Sequence, residues 1–437
     1  AVLVAEGDRV LYEGGFGFAD HAWEIPNTPD TRFRVASTTK QFTSALVHRL
    51  AEDGLIDLDA PISTYLPDYP EPQGSLITAQ QLLNQTAGIP NYTSLPEWES
   101  IMRDPVDPLA FLDTFAGLPL QFEPGSQFGY SNSNYFVLGV LIEAVTDQTY
   151  AEALHERILA PLGLDDTAAD VPGRVVARKA RGYVRISGGY AQERYIDMSL
   201  PYAAGMLYSS VRDLHRWKRA LHSAAPFQSA ETLRRMLTPS GEGPYGYAHG
   251  LGVNQRVFGP DTVITIGHGG HIEGFNSDDV YLPEREWTVI VLDNTNGDVG
   301  RVGQDLIRLL LGHEVEPPRR SVAEAMADLI ATDGLDAAVA EYRAIRDRSD
   351  PAYDLGEAQL QSLGHAYSQG GYPDIAVQIL RLNAESYPES ADVHGALGDA
   401  YAEAGDQASA IRSYQRALDL DAENARIREA LSQLQAE

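Results

Sequence analysis

The sequence contains no cysteine among its 437 residues. Disulfide bonds, a thiolate nucleophile and cysteine-ligated zinc are therefore excluded. No apolar run in the chain approaches the ~20 residues that a helix needs to cross a bilayer, so no membrane span is expected. Positive charge is also scarce, because 33 Lys and Arg residues stand against 62 Asp and Glu residues, for a formal net charge of −29. A surface this acidic repels phosphate backbones and anionic lipid headgroups, so nucleic acid and membrane surfaces are not expected as partners.

The length predicts more than one domain, because 437 residues is roughly three times a typical domain of ~150 residues. Strand-like runs occur within residues 2–12 and again within 263–292, with helical patterns between them. This order predicts an α+β fold, in which an antiparallel sheet built from both ends is flanked by helices and carries a helical subdomain. A Pro-Pro pair at 317–318 indicates a linker, so we predict domains at 1–316 and 317–437.

After this linker the sequence repeats itself. The run Leu-Gly-His-Ala-Tyr at 363–367 returns as Leu-Gly-Asp-Ala-Tyr at 397–401, an offset of 34 residues. This period and these small residues resemble the tetratricopeptide repeat, in which paired helices pack closely. We therefore predict an all-α repeat domain with clear repeats at 357–390 and 391–424, a degenerate unit before them and a capping helix after them. The repeats either bind a protein partner or dock onto the first domain.

Lysine is the rarest basic residue, and its distribution points to one position. The chain has only Lys40, Lys179 and Lys218, and Lys40 alone follows a serine by three residues. Ser37 stands where an apolar-faced helix is predicted to begin, so Ser37 and Lys40 share one helix face. The helix start favours negative charge on the serine oxygen, and a buried lysine can lose its proton and accept that of the serine. The alternative interpretation is a helix-capping serine beside a solvated lysine.

A second polar cluster, Gly129–Tyr135, precedes an apolar helix predicted over Phe136–Val145. Tyr130 and Asn132 alternate around one position, so an extended turn would point both side chains into the same cleft. An ionised tyrosine accepts a proton, and an amide can hold Lys40 or a substrate carbonyl group. The alternative is a polar capping loop with a packed tyrosine.

A third cluster, His268-Gly269-Gly270-His271, follows a strand predicted over Val263–Ile266. Glycines there permit a ligand to approach the backbone closely, and His268 is a candidate partner for the substrate or for the tyrosine. Because an unperturbed histidine has a pKa near ~6.5, His268 predicts an ionisation near neutrality in the pH profile. The alternative is a glycine-rich bulge with incidental histidines. No His-x-x-x-His pair occurs, and neither a metal nor a cofactor is expected.

Together the three clusters resemble the motifs of the serine β-lactamase and penicillin-binding (DD-peptidase) superfamily, in particular its class C-like branch. The similarity covers residues 1 to about 312 and includes stretches that carry no catalytic residue, at 52–67, 82–88 and 197–217. The resemblance implies the β-lactamase/transpeptidase-like fold, which agrees with the sheet and helical subdomain predicted from the strand order.

The resemblance also implies roles for the first two clusters. Ser37 would be the acylated nucleophile, and Lys40 would accept the proton of Ser37 or tune its partner. Tyr130 would be the general base, and Asn132 would complete the second motif of the family as a substrate-binding residue.

The third cluster matches the third motif of the family, with one departure. His268, Gly269 and Gly270 occupy the motif, and the backbone N–H groups of Ser37 and His271 would form an oxyanion hole. His268 stands where class C β-lactamases usually carry lysine. This departure is similar to DD-peptidases, aminopeptidases and esterases of the superfamily, and it weakens the expectation of efficient penicillin hydrolysis.

The sequence therefore predicts a metal-independent serine hydrolase that forms an acyl-enzyme on an amide, peptide or ester bond. D-amino-acid peptides, small esters and β-lactams are the candidate substrates, and the loops at 90–125 and 180–205 are expected to select among them. The alternative is a non-hydrolytic penicillin-binding-like sensor or scaffold whose repeats bind a protein partner. A periplasmic or secreted location follows only if a signal peptide preceded Ala1.

Overall fold

The chain forms two compact units, one built from residues 1–185 and 191–315 and the other mainly from residues 316–437. The exact domain limits given by the sequence, 1–316 and 317–437, stay a prediction. The computed structural model describes three stretches of the chain: 1–186, 189–241 and 245–436.

The main sheet of the first unit is antiparallel and uses strands from both ends of that unit. Among the described residues it has seven strands, which lie side by side in the order 246–247, 252–258, 261–272, 275–282, 287–293, 2–6 and 9–14. The predicted sheet is thereby confirmed. The strands up to residue 293 are β1 (Val2–Glu6), β2 (Arg9–Gly14), β3 (Phe18–Asp20), β4 (Ile25–Pro26), β5 (Phe33–Arg34), β6 (Ala168–Ala169), β7 (Tyr183–Ile186), β8 (Gly189–Gln192), β9 (Leu207–Ser209), β10 (Gly246–Tyr247), β11 (Gly252–Phe258), β12 (Asp261–Ile272), β13 (Phe275–Leu282) and β14 (Trp287–Asp293).

Strand β1 is buried on both of its faces, which explains its unbroken apolar sequence. Val2 and Val4 pack on one side of the sheet in a cluster with Ile307. Leu3 and Ala5 point to the other side and join the main core. Because side chains alternate along a strand, a run of four apolar residues fills both layers of the unit.

Helices cover the sheet and form the subdomain between its two halves. The predicted first helix is present, and Gly54 follows it with a left-handed φ of +75°. The bounds of the helices in the first unit are α1 (Thr39–Glu52), α2 (Gln73–Leu76), α3 (Ala79–Leu83), α4 (Trp98–Ile101), α5 (Pro108–Phe111), α6 (Asn132–Thr146), α7 (Tyr150–Leu154), α8 (Tyr202–Gly205), α9 (Val211–His222), α10 (Ala230–Met236) and α11 (Val299–Leu310).

Helix α6 begins at Asn132, four residues before the start at Phe136 that the sequence predicts. Its first turn is polar, but it is buried against a neighbouring loop. Ser133 Oγ accepts the backbone N–H of Tyr92 at 3.0 Å and donates to the carbonyl oxygen of Pro90 at 2.6 Å. These contacts satisfy a polar turn that, by composition alone, is typical of a loop.

The second unit is a row of helix pairs, as the 34-residue period predicts. A Cβ atom at Gly364 would lie 2.5 Å from Leu380, and one at Gly398 would lie 2.5 Å from Tyr414, so both repeated glycines permit close helix packing. No helix in the described part of the chain is long and apolar enough to cross a membrane. The elements of this unit are β15 (Arg320–Ser321), α12 (Val322–Thr332), α13 (Leu335–Asp347), β16 (Tyr353–Asp354), α14 (Glu357–Gln369), α15 (Pro373–Ser386), α16 (Ala391–Glu403), α17 (Gln407–Leu420) and α18 (Ala425–Ala436).

Two buried histidines pair beside α1 in the first unit. The rings of His48 and His249 stack, and His48 Nε2 lies 2.8 Å from His249 Nδ1. Burial, assisted by the charge of Arg235, lowers the pKa of His48 to about 3. Burial also lowers the pKa of His249. Both rings are therefore neutral in the folded protein at neutral pH.

We expect acid to destabilise the first unit through this pair. The unfolded chain binds a proton on each histidine below about pH 6.5, whereas folded His48 binds one only near its lowered pKa of about 3. The free energy of unfolding should therefore fall by about 1.4 kcal/mol per pH unit for each such histidine as the pH drops below ~6.5.

Urea unfolding between about pH 7 and 5 measures this dependence, and His48→Gln should make it shallower. His155→Gln, at an exposed position, is the matched control substitution. An identical slope in the wild type and in His48→Gln would contradict the assignment.

Candidate active site

Ser37 lies in a 3-10 turn, Ala36–Thr38, directly before α1. Ala36 has a φ of +47°, in the left-handed region that costs a non-glycine residue roughly 1–3 kcal/mol. The turn leaves Ser37 half-buried, while Lys40, one helical turn further on, is completely buried. The sequence placed both residues on one helix face, and the structure puts the serine at the helix entrance with its lysine behind it.

The hydroxyl group of Ser37 lies between two polar side chains. Lys40 Nζ is 2.9 Å from Ser37 Oγ, and Tyr130 Oη is 3.1 Å from the same atom. Lys40 Nζ also lies 2.9 Å from Asn132 Oδ1 and 2.8 Å from the carbonyl oxygen of Ala204. The structure thus brings the singled-out residues of the first two clusters into direct contact.

Gln85 holds the loop that carries Tyr130. Its carbonyl oxygen accepts the backbone N–H of Gly129 at 2.9 Å, and its side-chain Oε1 accepts the backbone N–H of Ser131 at 3.0 Å. Ser131 is extended, so Tyr130 and Asn132 lie on either side of an extended residue and reach the same centre. Two hydrogen bonds from one residue therefore position the tyrosine.

The third cluster lies within strand β12 rather than after a strand, which corrects the sequence prediction. β12 continues to Ile272 because residues 266–272 pair with β13. A Cβ atom at Gly270 would lie 2.2 Å from the carbonyl oxygen of Val35. This glycine thus permits the strand, and not a ligand, to approach the turn that carries Ser37. Gly269 is exposed.

The two histidines of the third cluster have different environments. His268 is half-buried, with Nε2 3.3 Å from Tyr247 Oη and its ring centroid 6.1 Å from that of Tyr130. His271 is exposed, and its Nδ1 lies 2.7 Å from Asn276 Oδ1. His271 lines the same cavity as Ser37.

Burial controls the protonation of the three titratable side chains at the centre. It lowers the pKa of Lys40 well below the usual lysine range. Desolvation of the hydroxyl group raises the pKa of Tyr130 to about 12, although 39% of the residue surface is exposed, and the hydrogen bond to Ser37 opposes this shift. Burial lowers the pKa of His268 to about 3. This direction opposes the ionisation of His268 near neutrality that the sequence predicts, because the spacing of residues does not reveal desolvation.

A cavity of about 360 Å³ opens beside Ser37. At its edge Arg194 donates to Glu99 Oε2 at 2.6 Å and to Glu273 Oε1 at 2.9 Å. Both loops that the sequence names for substrate selection contribute to its lining. The lining residues are Ala36, Ser37, Tyr92, Thr93, Trp98, Asn132, Arg194, Ile196, Pro201, Ala204, Gly205, His271, Ile272 and Glu273.

Sequence reasoning missed several residues that support the site. Ala204 acts through its carbonyl oxygen, and Gln85, Arg194 and Tyr247 have no motif spacing to the catalytic clusters. The one available signal is the small-residue run Ala203–Gly205, which allows close backbone approach. In the described chain, no three His, Asp or Glu side chains are grouped as a metal site requires.

Comparison with known proteins gives two family matches. Residues 1–313 match the family model described as Beta-lactamase, and residues 388–437 match the model described as TPR repeat. Protein flp of Staphylococcus aureus (strain NCTC 8325 / PS 47) is 25% identical over 323 residues, which cover 72% of this chain and 63% of flp. The chain therefore spans less than two thirds of the length of that relative.

Solved structures resemble the first unit over nearly all of their own length. A penicillin binding protein from Bacillus halodurans has a TM-score of 0.62 and 25% identity, covering 71% of this chain and 95% of that protein. The D-amino acid amidase from Ochrobactrum anthropi SV3, solved with L-phenylalanine amide, has a TM-score of 0.60 and 28% identity, covering 71% and 91%.

Proposed function

The chain belongs to the β-lactamase family, and we propose that it is a serine hydrolase that cleaves amide, peptide or ester bonds through an acyl-enzyme on Ser37. The observation that carries the proposal is the position of Ser37 Oγ, 2.9 Å from Lys40 Nζ and 3.1 Å from Tyr130 Oη. A serine hydroxyl becomes an effective nucleophile when a neighbouring group takes its proton, and both neighbours are in contact.

Lys40 is the base in this proposal. Its lowered pKa favours the neutral amine, which has two N–H donors and one lone pair. The carbonyl oxygens of Asn132 and Ala204 can only accept, so they take the two N–H groups and leave the lone pair for the Ser37 hydroxyl. The neutral lysine is thus aimed at the proton that must be removed.

Acylation of Ser37 begins with the removal of its proton. The proton of Ser37 passes to Lys40 Nζ while Oγ bonds to the substrate carbonyl carbon. The carbonyl oxygen becomes an oxyanion, and in this proposal the backbone N–H groups of Ser37 and His271, two residues that line the cavity, donate to it. The bond to the leaving nitrogen or oxygen breaks, and water later releases the acyl group from Ser37 by the reverse set of transfers.

Tyr130 supplies the proton to the leaving group. Its raised pKa of about 12 keeps the phenol protonated at neutral pH, so it acts as an acid rather than as the ionised base that the family resemblance implies. Its hydroxyl lies beside Ser37 Oγ and donates its own proton to the leaving group as the bond breaks. The ammonium of Lys40, 5.1 Å from the centre of the Tyr130 ring, offsets the charge of the resulting tyrosinate. In deacylation the tyrosinate takes a proton from the attacking water, and Lys40 returns its proton to Ser37 Oγ.

The cavity lining favours amides and esters that lack a carboxylate over β-lactams, which carry one. Tyr92, Trp98 and Ile272 supply apolar lining for a side chain of the substrate. Among the described residues that line the cavity, Arg194 is the one lysine or arginine, and it is already bonded to two glutamates. The similarity to the D-amino acid amidase makes D-amino-acid amides, which have no carboxylate, the first substrates to assay.

The first prediction from this proposal concerns covalent labelling. A fluorophosphonate should add to Ser37, detected by peptide mass, because the activated oxygen attacks phosphorus as it attacks a carbonyl carbon. Ser37→Ala should show no adduct, and Ser223→Ala, at an exposed serine, should label like the wild type. An unlabelled wild type, or equal labelling of Ser37→Ala, rejects the proposal. A stable adduct with a labelled penicillin and no turnover of any ester or amide would favour the sensor instead.

A second prediction concerns pH. For an uncharged ester, kcat/KM should rise with pH through one ionisation, that of Lys40, below the usual lysine value of ~10.4, and then stay level. It stays level because Tyr130 ionises only at about pH 12. His268→Gln should keep the same profile between about pH 5 and 8, because His268 protonates only near pH 3. If His268→Gln loses an ionisation that the wild type shows in this range, His268 titrates near neutrality as the sequence predicts.

A third prediction separates the acid from the base. Tyr130→Phe should lower kcat for an amide by about 10²- to 10⁴-fold, because the amine leaving group needs a proton. The same variant should lose far less activity with a p-nitrophenyl ester, whose leaving group departs as an anion. Lys40→Met should lose activity with both substrates. Equal losses for amide and ester in Tyr130→Phe would assign the tyrosine to proton removal.

A further inference from the structure

A completely buried ion pair lies beneath the third cluster. Lys218 Nζ on α9 is 3.1 Å from Asp279 Oδ2 on β13, and neither side chain has any exposed surface. Neither residue belongs to a catalytic motif, and neither lines the cavity. A buried ion pair is often no more stabilising than apolar side chains of the same volume. Stability alone therefore does not explain this pair, whereas a need to orient neighbouring groups does.

Gln41 completes the polar contacts of this pair. Its Nε2 donates to both carboxylate oxygens of Asp279, at 3.0 and 2.9 Å, and its Oε1 accepts from Lys218 Nζ at 3.0 Å. Gln41 is the residue after Lys40 on α1. The network therefore joins the nucleophile helix to β13 through hydrogen bonds between buried side chains.

The network ends on the backbone of His268. Asp279 Oδ1 accepts the N–H of His268 at 3.0 Å, and Thr38 Oγ1 donates to the His268 carbonyl oxygen at 3.2 Å. Thr38 directly follows Ser37. The peptide groups on both sides of His268 are thus held by side chains from the two elements that flank the site.

We propose that Asp279 is a positioning residue which, held by Lys218 and Gln41, sets the backbone of His268 and thereby places the end of β12 against Ser37. The proposal rests on the hydrolase function proposed above. In this proposal the ion pair orients the backbone of His268. A carboxylate can accept hydrogen bonds from three donors at once, whereas an apolar side chain accepts none.

The consequence for catalysis follows from the strand. His271 lies three residues beyond His268 on β12 and lines the cavity with Ser37. A displacement of about 1 Å in a group that orients the reacting carbonyl can cost about 10²-fold in rate. Loss of the Asp279 contact should therefore lower kcat, while KM, which depends on the other cavity walls, changes little.

Two double variants test this role at equal charge. Asp279→Asn with Lys218→Met removes both charges but keeps an oxygen for the His268 N–H. Asp279→Val with Lys218→Met removes the charges and the acceptor, with a residue that suits a strand. We expect the first to retain kcat within about threefold of the wild type and the second to lose at least about tenfold, with KM changed by less than about threefold in both. Equal kcat in the two variants would overturn the proposal.

Amide hydrogen exchange supplies a readout that needs no catalysis. Peptides covering 266–272 should exchange faster in the valine double variant than in the asparagine double variant, and equal exchange would overturn the proposal. If the wild type shows no turnover and no Ser37 adduct, the hydrolase function fails while this measurement still decides the positioning.

If the valine double variant does not fold, variants of Thr38 test the hydrogen bond at the carbonyl oxygen of His268. Thr38→Val should lower kcat, and Thr38→Ser, which keeps the hydroxyl group, should restore it. Equal activity of these two variants would contradict the proposal.

Discussion

The burial of one amine is the constraint on which the rest of the site depends. Lys40 Nζ has no exposed surface and meets three oxygens, from the serine turn, from α6 and from the segment at 202–205. A charged ammonium there would lose several kcal/mol of hydration, so the amine is pushed toward its neutral form. The segments that supply the oxygens are far apart in sequence, and the lysine therefore fixes their relative positions as well as the chemistry.

Around this amine, polar contacts fix the relative positions of the sheet, α1 and the turn before α1. Pairing within the antiparallel sheet fixes the position of β12. Asp279 and Thr38, which lies in the turn before α1, both hydrogen-bond to the backbone of that strand at His268. Gly250 packs so closely that a Cβ there would lie 2.5 Å from the carbonyl oxygen of Lys40. The nucleophile helix is thus held along its backbone on one side and through its side chains on the other.

Local sequence predicted what depends on local geometry. The apolar period found α1, the three-residue spacing paired Ser37 with Lys40, and the alternation of Tyr130 and Asn132 anticipated that both reach one centre. Asp279 and the Ala204 carbonyl could not be found this way, because the contacts that join them to α1, Gln41 with Asp279 and Lys40 with Ala204, span 238 and 164 residues, and no sequence period records such contacts. Protonation states were equally hidden, since they follow from burial and burial follows from the complete fold.

The close approach of Gly270 to Ala36 limits the side chains that either position can accept. A Cβ at residue 270 would lie 2.2 Å from the Val35 carbonyl oxygen and 3.1 Å from the Ala36 methyl group. Ala36 itself holds a positive φ that larger or branched side chains resist. A larger side chain at either position would therefore collide with the other or with the Val35 carbonyl oxygen. Single substitutions that enlarge either residue should be selected against, whereas the loops around the cavity are free of this constraint.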